Sequence, residues 1–435
     1  MRKIHITTLG CSKNTVDSEW LAGLLETNNF EVIEDPGSAH VIILNTCGFI
    51  QEAKEESIQA IFEALELKKD DPAKKVFVAG CLSSRYRSEI EREIPEVDAI
   101  FGTEEYSAIL QALGKGHSAA DNLYRTRKLS APEHTAYLKI SEGCDHTCSF
   151  CAIPAIRGKH RSRSKESLIE EARLLAKKGV KELIVISQDT ASYGKDIYGR
   201  QEIVLLLREL AKIEGIRWVR VLYWYLANFP LEFVDLINDN EKIVPYIDIP
   251  LQHISDKILR LMHRGDTQES IYRLLDTIRN RAPQAAIRTT FIVGHPGETE
   301  KEFDELYDFV KRYKFDRLGT FVYSDEAGTH SFDLSEKVEK EKALERQNRI
   351  MEMQQQISLQ KNLTLIGKNE FVIVDDYDKE NSVYIGRSRR DAPEIDNEVL
   401  INSKNDNLKI GELLKVRITD AGEYELYGNV IKRNL

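Results

Sequence analysis

A chain of 435 residues exceeds what one core ordinarily organises, so two or three domains are expected. With 42% hydrophobic and 30% charged residues it has the composition of a folded protein, and its formal net charge of −10 argues against nucleic-acid binding through the whole surface. No apolar run approaches the roughly 20 residues of a membrane span. Met1 to Ile6 leads straight into a strand-like pattern without a signal-peptide core, so a cytoplasmic location with no membrane partner is the expectation. In a reducing compartment, six cysteines point to metal ligation or catalysis rather than to disulfides.

The N-terminal third repeats one arrangement. The strand-like stretch Lys3 to Gly10 ends at Cys11 and precedes a helical pattern from Val16 to Glu26. Ala39 to Thr46 ends at Cys47 and precedes a helix over Gln51 to Leu67. Lys74 to Gly80 ends at Cys81 and precedes a helix over Arg85 to Glu93, and a shorter strand, Asp98 to Gly102, leads into a helix over Glu104 to Leu113. Strands alternating with amphipathic helices predict an open parallel α/β sheet. The carboxyl ends of such strands share one edge, where ligands bind. A lone free cysteine is often a small buried hydrophobe, but three at equivalent strand ends form a pattern. Thiolates there can hold three irons of a cluster and leave the fourth open. Zinc is the alternative, although its ligands usually come in closely spaced pairs.

From about Ala136 a longer βα series begins. Its predicted strands are Tyr137–Gly143, Glu182–Asp189, Val219–Tyr225, Tyr246–Pro250, Ile287–Gly294 and Arg317–Tyr323, with helical patterns between them. Six units predict a partial (β/α)6 barrel, whose chemistry sits on the loops at the carboxyl ends of the strands. The loop after the first strand carries Cys144, Cys148 and Cys151 as C-x3-C-x2-C, with Phe150 before the last cysteine. Three thiolates on one short loop cap three corners of a [4Fe-4S] cluster, and the free fourth iron can be chelated by the amino and carboxylate groups of S-adenosylmethionine. Electron transfer through the cluster then yields a 5′-deoxyadenosyl radical. A zinc reading needs a fourth ligand from His146 or a distant histidine, and the loop lacks the second Cys/His pair usual in structural zinc sites.

Other rim features are weaker. Ser187 and Gln188 follow the second strand and, with Phe150, are the candidate contacts for the cofactor. His253 follows the fourth strand and His295 the fifth, where an ordinary loop histidine is as good a reading as a catalytic one. Glu298 with Thr299 reads as the opening of the next helix. The run from Arg157 to Lys165 reads as a solvated basic face or as a binder of carboxylate or phosphate near the active site. The sequence singles out no catalytic residue.

A polar helix over roughly Ser335 to Leu363 connects to a C-terminal stretch of short strands, Glu370–Asp375, Asn381–Gly386, Glu398–Ile401, Leu413–Thr419 and Glu425–Ile431, which predicts a small β-barrel. Residues 366–435 hold 11 Lys and Arg against 14 Asp and Glu, a net of −3, which favours a protein partner over nucleic acid.

Taken together, these motifs resemble the methylthiotransferases of the radical S-adenosylmethionine superfamily, over the whole chain. The resemblance rests on Leu9 to Glu19 (LGCSKNTVDSE), Tyr137 to Cys144 (YLKISEGC), Asp248 to Lys257 (DIPLQHISDK) and Arg288 to Glu298 (RTTFIVGHPGE). Ser12-Lys13 and His295 resemble the branch that modifies ribosomal protein S12, the tRNA-modifying branch being the rival. The resemblance implies domains at 1–120, 130–365 and 366–435, the last a TRAM domain. It implies a second [4Fe-4S] cluster on Cys11, Cys47 and Cys81 carrying the sulfur for transfer, with one S-adenosylmethionine as methyl donor and another as radical source. The product would be 3-methylthioaspartate in ribosomal protein S12. Partners so implied are a low-potential electron donor such as flavodoxin or ferredoxin, and a sulfur donor.

Overall fold

The computed structural model describes residues 1–115, 122–130, 132–402 and 407–432. The expected domain limits at 120 and 435 lie outside these described residues. The chain forms two compact units, one of residues 1–131, 137–146 and 151–174, the other of residues 132–136, 147–150 and 175–435.

The first unit is built on a five-stranded parallel sheet in the order Phe30–Val32, Arg2–Thr8, Val41–Thr46, Lys75–Gly80, Ala99–Ile100. Every residue of the central strand Val41–Thr46 is buried, which is why its sequence is a continuous β-branched and leucine run rather than an alternating one. Ile42, Leu44, Val76 and Val78 pack with Ile61, Leu65, Leu82 and Ile90 from the following helices, Gln51–Asp70 and Cys81–Glu93. The edge strand Phe30–Val32 is too short for periodicity to reveal; it pairs through Arg2–Ile4. Ser141–Glu142 pairs antiparallel with Arg161–Ser162, closing a hairpin around the C-x3-C-x2-C loop.

The second unit carries the barrel strands Glu182–Ile186, Trp218–Val221, Tyr246–Asp248, Ala286–Val293 and Arg317–Val322, paired parallel in two groups that a bridge between Val219 and Ile243 connects. The backbone N–H groups of Lys181 and Glu182 donate to the His134 carbonyl at 2.7 and 3.1 Å, anchoring the start of Thr135–Lys139, the first strand of the series. The expected partial (β/α)6 barrel is therefore present. The connecting helix starts at Lys340 rather than Ser335 and runs to Leu363. Residues 335–339 stay out of it because they brace the fifth-strand loop: Gly297 N–H donates to the Glu336 carbonyl at 2.8 Å, and Lys337 Nζ donates to the carbonyls of Ser331 and Phe332 at 3.0 and 2.9 Å.

The C-terminal strands close a barrel in the order Asn369–Asp378, Val383–Ser388, Glu398–Ile401, Glu425–Lys432, Leu413–Ala421, around Val372, Val374, Val399, Leu414, Val416 and Leu426. Buried charges tie it to the larger barrel. Glu182 takes Arg220 at 2.8 Å and Arg387 at 2.8 Å, Arg387 also pairs with Asp375 at 2.7 Å, and Arg317 pairs with Asp391. Desolvation opposes the ionised form of Glu182, but the two arginines hold its carboxyl below the ordinary value.

Candidate radical site and the second cysteine set

Cys11, Cys47 and Cys81 follow three adjacent strands of the parallel sheet. The register sets Thr8 opposite Asn45 and Thr46 opposite Gly80, so the three chain exits lie side by side on one edge. Gly10 shows how close they come: with φ +88°, a Cβ there would stand 2.5 Å from Cys47 Cβ and 2.8 Å from its sulfur. Asn14, in the helix Ser12–Thr27, pins the edge by donating from Nδ2 to the Leu9 carbonyl at 2.7 Å and the Thr46 carbonyl at 3.1 Å. Ser57 Oγ brackets Cys47, accepting from its N–H at 3.0 Å and donating to its carbonyl at 2.9 Å. Cys11 is exposed while Cys47 and Cys81 are buried. Burial pushes both thiols up, Cys81 to about 12, and neighbouring cysteines add to the rise. That mutual influence is what closely set thiols produce, and binding to iron relieves it by charge neutralisation. Among the described residues no three His, Cys, Asp or Glu groups close around a single ion. A cluster does not require this, since each thiolate takes a separate corner.

The helix Ile153–Arg157, directly after the C-x3-C-x2-C loop, packs on this set. Ala152 and Ile156 form a buried apolar contact with Cys81. Arg157 Nε donates to Cys81 Sγ at 3.3 Å, and its Nη2 donates to Asn14 Oδ1 at 2.6 Å. The same guanidinium reaches Asp17 Oδ2 at 3.2 Å and Glu142 Oε1 at 3.0 Å. Lys139 completes the knot, bonding Glu142 Oε2 at 2.7 Å and also Asp17. All four charged groups are buried. Burial resists ionisation of Glu142, but Lys139 and Arg157 hold its carboxyl far below the ordinary range. Of the basic run from Arg157 to Lys165, read either as a solvated face or as a binder of carboxylate or phosphate, Lys159 and Arg161 are exposed while Arg157 is buried against carboxylates of the protein itself. Arg157 is only 5% exposed, Arg163 pairs with Glu171 at 2.6 Å, and Arg161 with Glu104 at 2.5 Å.

Within the loop, Cys144 and Cys151 belong to the first unit and Cys148 to the second. Gly143 has φ +74°, and a Cβ on it would meet the Lys159 carbonyl oxygen at 2.2 Å, so the turn into Cys144 admits only glycine. Cys144 N–H donates to the Gly158 carbonyl at 3.1 Å. In the second unit Ser149 is clamped on three sides. Its N–H donates to the Met262 carbonyl at 3.0 Å, its carbonyl accepts from Ser331 N–H at 2.8 Å, and its hydroxyl donates to the Leu261 carbonyl at 2.7 Å. Cys148 shares a hydrogen bond with Tyr225, whose ring lies under the Arg264 guanidinium, 4.4 Å from its centroid. Burial raises the Tyr225 hydroxyl, so the phenol keeps its proton and donates it.

Of the candidate cofactor contacts, Phe150 is half-buried beside Ser149. Ser187 is fully buried after Glu182–Ile186, with its hydroxyl 3.4 Å from Thr190 Oγ1, and Gln188 follows it, half-buried. Tyr223 and Gln252, at the ends of the next strands, hold φ of +64° and +68°, conformations that non-glycine residues keep at a cost of about 1–3 kcal/mol. No pattern in the sequence marks Tyr223, and the stretch Asp248 to Lys257 that contains Gln252 gives no sign of its conformation. His253 and His295 are wholly buried. The His295 Nδ1 sits 2.9 Å from the Pro296 carbonyl, and Nε2 lies 2.8 Å from Ser331 Oγ, whose own proton goes to Ser149 Oγ at 2.6 Å. Glu298 does not open the helix Glu300–Tyr313. Thr299 and Glu302 form that capping box, leaving Glu298 to accept from Gly294 N–H at 3.0 Å and to pair with Arg346 at 2.8 Å.

A partial barrel with a C-x3-C-x2-C loop at the exit of its first strand defines a radical S-adenosylmethionine enzyme, a class built on an iron–sulfur cluster and S-adenosylmethionine. Family profiles agree: the Radical SAM superfamily matches residues 138–310, the Uncharacterized protein family UPF0004 residues 3–102, and the TRAM domain residues 366–431. Proteins named ribosomal protein uS12 methylthiotransferase RimO are similar over almost the whole length. That of Cytophaga hutchinsonii is 45% identical, covering 99% of this chain and 98% of its own. That of Acetivibrio thermocellus is 45% identical (100% and 99%), and that of Clostridioides difficile 46% identical (99% and 99%). Among solved structures, the radical S-adenosylmethionine methyltransferase TsrM of Kitasatospora setae, with tryptophan and a cofactor analogue bound, gives a TM-score of 0.55 at 16% identity over 74% of this chain and 73% of its own. The cobalamin-dependent radical enzyme OxsB gives 0.51 at 14% identity over 81% and 56%. Both show the fold alone. The chain belongs to the family of ribosomal protein uS12 methylthiotransferases.

Proposed function

We propose that this protein methylthiolates the β-carbon of an aspartate in ribosomal protein S12, with one [4Fe-4S] cluster on Cys144, Cys148 and Cys151 and a second on Cys11, Cys47 and Cys81. The observation that carries the reading is the packing, within the first unit, of Cys81 on Ala152 and Ile156, the segment directly after Cys151. Loaded, the loop site supplies the 5′-deoxyadenosyl radical from S-adenosylmethionine and the strand-edge site the sulfur. The chain's own residues hold these sites. Gly143 shapes the entry to the loop, Ser149 is clamped from two sides of the barrel, and Tyr225 donates to Cys148. Phe150, Ser187 and Gln188 face the cofactor in this reading. An unactivated C–H bond offers no acid–base route, so in this reading no general base is assigned.

The domains are read as 1–120, 130–365 and 366–435. The net −3 of the last favours a protein substrate over tRNA, as do the names of the relatives. A low-potential flavodoxin or ferredoxin and a sulfur donor complete the cycle, in the cytoplasm where the ribosomal substrate is made. The test is anaerobic reconstitution of the full chain followed by mass spectrometry of S12. About eight irons per chain are expected, falling to about four in Cys47→Ala, and the S12 aspartate peptide gains a methylthio group only with the unaltered enzyme. Unmodified S12 alongside methylthiolated tRNA would overturn the choice of substrate.

A further inference from the structure

We infer that Arg157 is the positioning residue that sets the electronic state of the strand-edge cluster, by donating an N–H to the sulfur of Cys81 from the helix that follows the radical-generating loop. The inference rests on the two-cluster reading above. Its geometry is specific. Arg157 ends a five-residue helix that starts two residues after Cys151, and Gly158, at φ +76°, turns the chain away, so the side chain is directed into the junction. Its fork is divided between tasks. The two Nη groups are occupied by Asn14, Asp17 and Glu142, and Nε is given to Cys81.

Charge accounts for why a guanidinium stands there. Asp17 and Glu142 against Lys139 and Arg157 sum to zero inside the protein. Three thiolates on a cluster with a doubly positive core add a net negative charge, and reduction adds another. A buried site tolerates this only with donors aimed at the sulfurs, and such hydrogen bonds together with net charge set the potential of an iron–sulfur cluster. Arginine suits the task where lysine does not. Its planar fork keeps Nε–H on sulfur while Nη1 and Nη2 hold the carboxylates. Asn14 fixes the direction of the fork, since its Oδ1 accepts from Arg157 Nη2 at 2.6 Å. Removing Arg157 leaves one lysine facing two carboxylates and deprives the sulfur of its donor. Both changes disfavour the reduced, more negative cluster.

The experiment uses the full chain with Cys144, Cys148 and Cys151 all changed to Ala, so that only the strand-edge cluster remains. Iron content and the midpoint potential by electron paramagnetic resonance are measured for this parent, for Arg157→Gln and for Arg157→Lys in the same background. The parent should keep about four irons. A parent that binds no iron would refute the two-cluster reading itself, a separate failure from that of Arg157. With iron retained, Arg157→Gln should titrate at a more negative potential than the parent and Arg157→Lys between the two. Loss of an outer-shell partner of this kind also costs about 10- to 100-fold in metal affinity, so a chelator should strip the variants at correspondingly lower concentration. A potential for Arg157→Gln equal to the parent's overturns the inference. Should the glutamine variant fail to fold, a lysine variant that coincides with the parent in both potential and chelator resistance overturns it instead.

Discussion

His295 is the residue through which the barrel rim should report pH. Its ring is wholly buried, and burial first, with His253 and Lys337 nearby, lowers its pKa from 6.5 to about 4, against the opposing pull of the Pro296 carbonyl and Glu298. Tyr323 packs edge-on at 5.2 Å and adds no charge. A histidine with a folded pKa below its unfolded value binds more protons when unfolded. Its favourable contribution is therefore complete above about pH 6.5 and is lost as pH falls toward 4. Between those values the loss at pH 4 comes to about 3 kcal/mol. His295→Phe removes the titration and leaves the Pro296 carbonyl without its donor, a cost of about 1–3 kcal/mol at neutral pH. The variant should thus be less stable than the unaltered protein at pH 7.5, and its deficit should shrink below pH 6.5 and vanish or reverse by pH 4. Urea unfolding of the two metal-free proteins, compared at each pH so that all other groups cancel, reads this directly. A deficit constant from pH 7.5 to 4 would refute the assignment of His295 as a buried neutral imidazole.

Two further outcomes follow from close contacts. Gly143→Ala places a methyl 2.2 Å from the Lys159 carbonyl at positive φ, which costs at least about 1–3 kcal/mol locally; reconstituted protein should hold about four irons in place of about eight and produce no 5′-deoxyadenosine. Glu182→Gln strips the shared carboxylate from Arg220 and Arg387, both buried, and should cost about 3–5 kcal/mol in thermal unfolding; a loss under about 1 kcal/mol would show that those arginines find other partners.

What the sequence disclosed depended on how far each signal reaches along the chain. The strand ends at Cys11, Cys47 and Cys81 were legible because buried parallel strands write themselves as β-branched runs, and a sheet's edge follows from strand direction. The loop of Cys144, Cys148 and Cys151 was legible because its cysteines are local in sequence. The knot of Asp17, Lys139, Glu142 and Arg157 was not, because its members are up to 140 positions apart and each is unremarkable alone. Arg157 was hidden further by its neighbours, since Arg161, Arg163 and Lys165 make the stretch look like a solvated face. The backbone conformation of Tyr223 and Gln252 was not legible, because a non-glycine residue at positive φ leaves nothing in composition. The helix start moved from Ser335 to Lys340 because tertiary bonds to Gly297 and from Lys337 claim the intervening backbone.

The burial of four charges at the junction calls for an explanation beyond adhesion. Well-packed apolar residues of similar volume commonly stabilise a protein as much as a buried ion network does, or more. Ala152 and Ile156 already supply such a contact to Cys81, so adhesion alone would be met by extending it. What apolar residues cannot do is donate to a thiolate. Of the polar contacts in the knot, the bond from Arg157 Nε to Cys81 Sγ is the one that leaves the protein's own carboxylates and amides and ends on a sulfur. The other bonds balance the charge of that donor and fix its direction. Lys139 neutralises the second carboxylate, so the guanidinium is held by both acids without being drawn wholly to either. A donor aimed at the Cys81 sulfur is what the proposed strand-edge cluster would require of this network.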